Sequence, residues 1–197
     1  MALLESNMTA LKLGKRAKDF TLLGTDEKMH SLNEIAKSDK GESDKPKAII
    51  IMFMCNHCPY VKGIMNRINK IREMFSREEL VIIGINSNDA ANYPDDSFEN
   101  MKHFHKKFHV DFYLLDETQE IAKAYHATCT PDIFLFDSEL KLAYHGRIDD
   151  GYLDESKVRQ QDLVNAIKKT VDGEKIDVAQ KPSMGCSIKW KNMGVHP

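Results

Sequence analysis

An unbroken apolar run, Ala48-Ile49-Ile50-Ile51-Met52-Phe53-Met54, leads directly into Cys55-Asn56-His57-Cys58-Pro59. A β-branched run without polar alternation reads as a strand buried on both faces. The stretch 59–75 then repeats apolar residues at three- and four-residue spacing (Val61, Ile64, Met65, Ile68, Ile71, Met74, Phe75), which predicts an amphipathic helix. Leu80–Ile85 is a second buried strand. Strand, helix and strand in series demand a parallel sheet with helices on its faces.

The alternation continues. A helix is expected over 97–108, with Phe98, Met101, Phe104 and Phe108 on one stripe, followed by a short strand over 112–115 and a short helix over 118–125. The segments 132–136 and 141–145 flank the turn-like Asp137-Ser138-Glu139 and form a hairpin. A last helix covers 157–171. Near the start, 20–23 and 29–32 flank Gly24-Thr25-Asp26-Glu27 as another hairpin. Residues 37–47 are polar with Gly and Pro and read as an exposed loop. One domain over 1–197 is expected, with 1–13 and 173–197 as less regular terminal segments, the latter anchored by Ile188 and Trp190.

Composition narrows the function classes. The 28 basic and 30 acidic residues give a net charge of −2, so neither nucleic acid nor an anionic membrane is an expected partner. No stretch approaches the ~18 apolar residues of a membrane span, and residues 1–20 lack a signal-peptide pattern. A cytoplasmic location is the default expectation. Four cysteines are too few for a disulfide-stapled scaffold, and in a reducing compartment they are more often catalytic or metal-binding.

Cys55 and Cys58 stand two residues apart at a strand-to-helix junction, the carboxyl end of a strand where active residues of such sheets gather. A helix N-terminus favours thiolate over thiol, and a protonated His57 adds a cation. One sulfur can attack a target and the other resolve the mixed disulfide. Two helix starts are open. If Pro59 is the first helical residue, Cys58 is the cap with the best dipole position; if the helix begins near Asn56, Cys55 is exposed and Cys58 partly buried. We take Cys55 as the attacker, Cys58 as the resolving thiol and His57 as the residue that tunes the thiolate. Downstream, Cys129-Thr130-Pro131-Asp132 enters a strand, and Pro131 fits a strand-entry position or a cis bond. Cys129 and Cys186 are possible auxiliary thiols, with Cys186 able to exchange with Cys129 or the dithiol.

With these residues in place, the chain resembles the thioredoxin-fold superfamily, and within it the peroxiredoxin-like (AhpC/TSA-related) bacterial proteins that carry a CxxC. The matching segments are 14–20, Met54-Cys55-Asn56-His57-Cys58-Pro59-Tyr60, Gly84-Ile85-Asn86-Ser87-Asn88-Asp89, 116–119, Cys129-Thr130-Pro131-Asp132, Gly146-Arg147-Ile148-Asp149-Asp150 and 185–191. The resemblance implies a thioredoxin-like α/β fold, a central mixed sheet flanked by helices with an N-terminal hairpin extension. It implies that Pro131 is a cis-proline beside the dithiol, and that Thr130 faces the sulfurs and offers backbone hydrogen bonds to an incoming peptide or thiol. Departures are visible. Met54 stands where thioredoxins have Trp, and Ile49 where they bury a carboxylate. Aligned with peroxiredoxins on Cys58-Pro59, the chain has Cys55 at their Thr position and Pro131 at their Arg position, with Arg147 a possible substitute or a partner of Asp149 or Asp150.

The expected activity is thiol–disulfide exchange on protein or low-molecular-weight substrates, with a thiol reductant and no cofactor. The alternatives are a thiol peroxidase using Cys58 and a copper- or zinc-binding protein with Cys55 and Cys58 as thiolates. The separated Cys129 and Cys186 do not make a second ligand pair, Met52 and Met54 read as core, and His103, His105 and His109 read as a solvated helix face.

Overall fold

In the computed structural model, which describes residues 3–9, 11–37 and 45–191, the apolar run becomes strand β4 (Ala48–Phe53), buried along its whole length. Its alternation divides the core. Ala48, Ile50, Met52 and Met54 point into one apolar cluster, while Ile49, Ile51 and Phe53 point into another on the opposite face of the sheet. Met52 and Met54 are core residues, as their position in the strand implied.

Strand β5 (Leu80–Asn86) runs parallel to β4, and β6 (Phe112–Leu115) runs parallel to β5. On the other side, β8 (Asp132–Asp137) is antiparallel to β4 and forms a bulged hairpin with β9 (Leu142–His145). The N-terminal hairpin, β2 (Thr21–Gly24) and β3 (Met29–Ser31), adds to the far edge through β2 and β6. Among the described residues this mixed sheet has seven strands, in the order β3-β2-β6-β5-β4-β8-β9. Helices α2 (Pro59–Met74), α3 (Phe98–His105) and α5 (Asp162–Val171) cover the first face, and α1 (Leu32–Ile35) and α4 (Glu120–Ala124) cover the second. The expected thioredoxin-like α/β architecture is present.

Several boundaries differ from the expectation for identifiable reasons. The last helix starts at Asp162 rather than 157, because the Asp150 carboxylate accepts the Arg159 and Gln160 amides at 2.8 and 3.0 Å and holds them out of a helix. Helix α4 starts at Glu120, after Gln119 with φ of 64°. His105 is not part of a solvated face: its two ring nitrogens lie 2.6 Å from Thr25 Oγ1 and 2.9 Å from the Val110 carbonyl. The polar loop over 37–47 lies largely outside the described residues.

The largest difference is at the termini. The segments read as irregular contain β1 (Leu3–Glu5) and β10 (Met184–Ser187), which pair with each other and, through β10, with the two-residue β7 (Cys129–Thr130). Three-residue and four-residue strands have too little periodicity to read locally; they exist because each completes a ladder begun elsewhere. Ile188 is buried in the second core cluster, whereas Trp190 remains 41% exposed beside Lys123, so the tail is anchored by the first and not the second. No helix among the described residues is long and apolar enough to cross a membrane.

Candidate active site

Helix α2 opens at Pro59, where a fixed φ and a missing N–H cost nothing. Cys58 precedes it in an extended conformation (φ −63°, ψ 123°) and is the N-cap. Of the two possible helix starts, the one that places Cys58 at the cap is therefore found. Cys55 follows the end of β4, whose last link is the Met54 amide donating to the Ile85 carbonyl at 2.9 Å. It is not the exposed member of the pair: both cysteines are fully buried. The Thr130–Pro131 bond is cis, and Thr130 lies against both sulfurs. Its hydroxyl is 3.4 Å from Cys55 Sγ, and its carbonyl oxygen is 3.1 Å from Cys58 Sγ, from which it accepts a hydrogen bond while that sulfur is a thiol. The backbone edge of Cys129–Thr130, which the resemblance assigned to an incoming peptide, is paired with β10.

The two thiols hold their proton unequally. A hydrogen bond from Cys55 draws Cys58 well below the ordinary thiol range, against the opposing effect of burial, and Cys186 and the Val61 amide add to it. Cys55 is pushed up by the same hydrogen bond, by burial and by the negative charge of Asp96. The two shifts run in opposite directions, with the lower pKa at the cysteine that caps the helix.

Asp96 was missed by sequence reasoning. It is buried, ends the 3-10 turn Pro94–Asp96, and reaches the dithiol from beyond β5. One oxygen accepts the Asn56 amide at 2.7 Å; the other is 2.7 Å from both Asn88 Nδ2 and His57 Nδ1. Burial alone would raise this carboxyl, but the hydrogen bonds from His57 and Asn88 outweigh it and hold it below its ordinary value. In return the Asp96 hydrogen bond raises His57 against desolvation, and the Cys58 charge raises it further. Asn88 also accepts the Lys189 amide at 2.8 Å, which ties the tail after β10 to the same network. The available signal was Asn86-Ser87-Asn88-Asp89, polar residues at the carboxyl end of a buried strand. Nothing in the local pattern marked Asp96.

Cys55, His57 and Asp96 present ligand atoms within 4.8 Å of one another. Both Asp96 oxygens already accept from protein donors, which ties the trio into one hydrogen-bonded network. Arg147 has a partner other than either aspartate expected for it. Its Nε donates to Asp162 at 2.6 Å, rather than to Asp149 or Asp150, while Asp149 pairs with Arg67. Cys129 turns its sulfur to the Pro131 carbonyl at 3.6 Å, and burial pushes its thiol up.

Comparison with known proteins agrees with this geometry. Solved structures of an uncharacterised conserved protein from Geobacillus kaustophilus and a hypothetical protein from Sinorhizobium meliloti 1021 are similar over nearly the whole chain. The first has 39% identity, 98% of this chain and 99% of the other covered, and TM-score 0.86; the second has 35% identity, 95% and 98% covered, and TM-score 0.84. The thioredoxin domain of a thiol-disulfide oxidoreductase from Bacteroides vulgatus shares the fold at 19% identity, with 82% and 99% covered and TM-score 0.61. No curated protein matches the chain. The AhpC/TSA family model matches residues 13–145, from the N-terminal hairpin through the dithiol and the cis-proline turn to the end of β9. A thioredoxin-like fold, with Cys55 and Cys58 at the junction of β4 and α2, is thus found in a chain that belongs to the AhpC/TSA family.

Proposed function

We propose that this protein is a thiol–disulfide oxidoreductase in which Cys58 is the attacking thiolate and Cys55 the resolving thiol, the reverse of the order first expected. The observation that carries this reading is the position of Cys58 at the N-cap of α2, with Cys55 behind it just past the end of β4; the lowered pKa of Cys58 and the raised one of Cys55 agree with it in direction. Cys58 attacks a disulfide and expels one thiolate; Cys55 then attacks Cys58 Sγ, expels the second, and leaves a Cys55–Cys58 disulfide for a thiol reductant to reopen. The second leaving thiolate takes the Cys55 proton, and the His57–Asp96 pair holds a cation beside the Cys58 sulfur. Thr130 Oγ1 supports Cys55 as it becomes charged.

Because β10 occupies the backbone edge beside Pro131, an extended peptide has no free edge to pair with there. Small disulfides are the better substrates. With dithiothreitol as reductant, the protein is expected to reduce hydroxyethyl disulfide about tenfold or more faster than it reduces insulin, since only the larger substrate must displace a strand. Equal rates on both would contradict the small-substrate reading, and turnover of neither would contradict the oxidoreductase.

A second reading, a thiol peroxidase, is favoured by one observation: Cys58-Pro59 occupies the peroxidatic position and Cys58 is the acidic thiol. Cys55 and Pro131 at the positions of the activating Thr and Arg, with Arg147 bound to Asp162, weigh against it. Consumption of hydrogen peroxide at rates above that of a free thiol would support it.

A further inference from the structure

The register of β10 separates the two remaining cysteines. Cys186 stands opposite Thr130, and Ser187 opposite Cys129. Residues directly opposite in an antiparallel ladder share a face, and neighbours along a strand alternate. The Thr130 hydroxyl faces Cys55 at 3.4 Å, so Cys186 lies on the dithiol face and Cys129 on the other. The contacts agree. Cys186 packs in the same apolar cluster as Cys55 and Cys58, which Cys129 does not join, and its nearness contributes to lowering the Cys58 thiol.

The strand that carries Cys186 is fixed at both ends. Upstream, Ser6 N donates to the Ser183 carbonyl and Ser183 N to Ser6 Oγ, both at 2.9 Å; downstream, Lys189 N donates to Asn88 and Asp89 N to the Lys189 carbonyl, at 2.8 and 2.9 Å. Between them Gly185 permits a close approach, because a Cβ at this position would lie 2.0 Å from the Thr130 carbonyl oxygen. The chain therefore holds a third thiol against the helix-capping sulfur by preorganised contacts.

Resting on the reading of Cys58 as the attacking thiolate, we propose that Cys186 is a second resolving thiol, and that Cys58 is a branch point bonded to either Cys55 or Cys186. After Cys58 attacks a disulfide RS–SR′ and R′S⁻ leaves as a thiolate, the Cys186 sulfur attacks Cys58 Sγ. The Cys58–SR bond breaks, the Cys58–Cys186 bond forms, and the departing RS⁻ takes the Cys186 proton. Two electrons pass from the two protein thiols to RS–SR′. Cys55 can then displace Cys186 from Cys58, with no net change in oxidation, to give the Cys55–Cys58 form. A Cys58–Cys186 bond joins the α2 cap to the strand that covers it, whereas a Cys55–Cys58 bond leaves β10 held by noncovalent contacts alone.

The test oxidises the reduced full-length protein with stoichiometric diamide and maps disulfides by peptide mass spectrometry. Cys186→Ser is expected to give Cys55–Cys58, which tests the dithiol reading by itself. Cys55→Ser is expected to give Cys58–Cys186 as the main product. Adding Gly185→Ala to Cys55→Ser is expected to lower the yield at a fixed short time about tenfold, since the displaced strand no longer presents its thiol. If Cys186→Ser forms Cys55–Cys58 while Cys55→Ser keeps its thiols free or pairs Cys58 with Cys129, the branch point is wrong and the dithiol reading stands. An unchanged yield with Gly185→Ala would also overturn the proposal, because the thiol would then be arriving by free collision.

Discussion

Cys58→Ser is expected to lower disulfide reductase turnover by about a thousandfold or more, because it removes the attacking group itself. Cys55→Ser slows turnover but keeps the first attack, and its mixed disulfide passes on to Cys58–Cys186; only with both resolving thiols removed, in Cys55→Ser/Cys186→Ser, should a covalent adduct accumulate on Cys58. The asymmetry follows from the surroundings of the two sulfurs. Cys58 has the Cys55 hydrogen bond and the helix terminus, with His57, whose pKa is raised, next to it in the chain; Cys55 has burial and the Asp96 carboxylate. The pH dependence carries the same sign. A free thiol reacts with iodoacetamide about tenfold more slowly per pH unit below its pKa of ~8.5. Cys58, with its pKa lowered, should keep its rate constant from pH 8 down to the acidic side of neutrality. Alkylation followed by peptide mass spectrometry reads both the site and the profile. An adduct on Cys55 in Cys58→Ser, with none on Cys58 in Cys55→Ser, would restore the opposite order.

Much of this site was legible because it is written in contiguous residues. The run Ala48–Met54 fixes a doubly buried strand, and a strand that ends in Cys-x-x-Cys-Pro can only deliver its thiols to a helix start. Thr130-Pro131 was legible as a motif, and its place against the sulfurs is the one the resemblance implied. The parts that were not legible are those fixed by long-range closure. Asp96 reaches Asn56 and His57 across some 40 residues of chain, and an Asp in a Pro-Asp-Asp-Ser turn looks like any solvated carboxylate until β5 and α3 place it. Strand β10 has no internal periodicity, and its residues become a strand only by lying between β1 and β7. The same closure sets which cysteine caps the helix. Whether Pro59 is the first helical residue depends on the position of the helix against the sheet, and the place of Cys186 opposite Thr130 depends on the register of β10.

Asp96→Asn is expected to destabilise the protein by about 3 kcal/mol, the low end for breaking a buried charge pair, which for a chain of this length is roughly 6–12 °C in Tm. The carboxylate is buried and accepts from Asn56, Asn88 and His57; an amide at this position can accept with one atom only, and its NH₂ faces donors. The loss should depend on pH with a definite sign. His57 is raised above its ordinary 6.5 in the fold, so its share of the stability is complete below that value and is lost as pH rises through the raised pKa. Asp96 is lowered below its ordinary 3.8, so its share is complete above that value and is lost as pH falls through the lowered pKa. The gap in Tm between the natural protein and Asp96→Asn should therefore be widest between about pH 4 and 6.5 and narrow on the alkaline side, where neutral His57 keeps only a hydrogen bond. Differential scanning calorimetry across that range measures it. The same substitution removes the charge that raises Cys55 and the anion that keeps His57 protonated beside Cys58. The two thiols should then move toward each other in acidity, and the iodoacetamide profile of Cys58 should shift to higher pH. A gap in Tm that is flat with pH, together with an unmoved Cys58 profile, would mean that Asp96 supports the packing around Asn56 and has no electrostatic link to the dithiol.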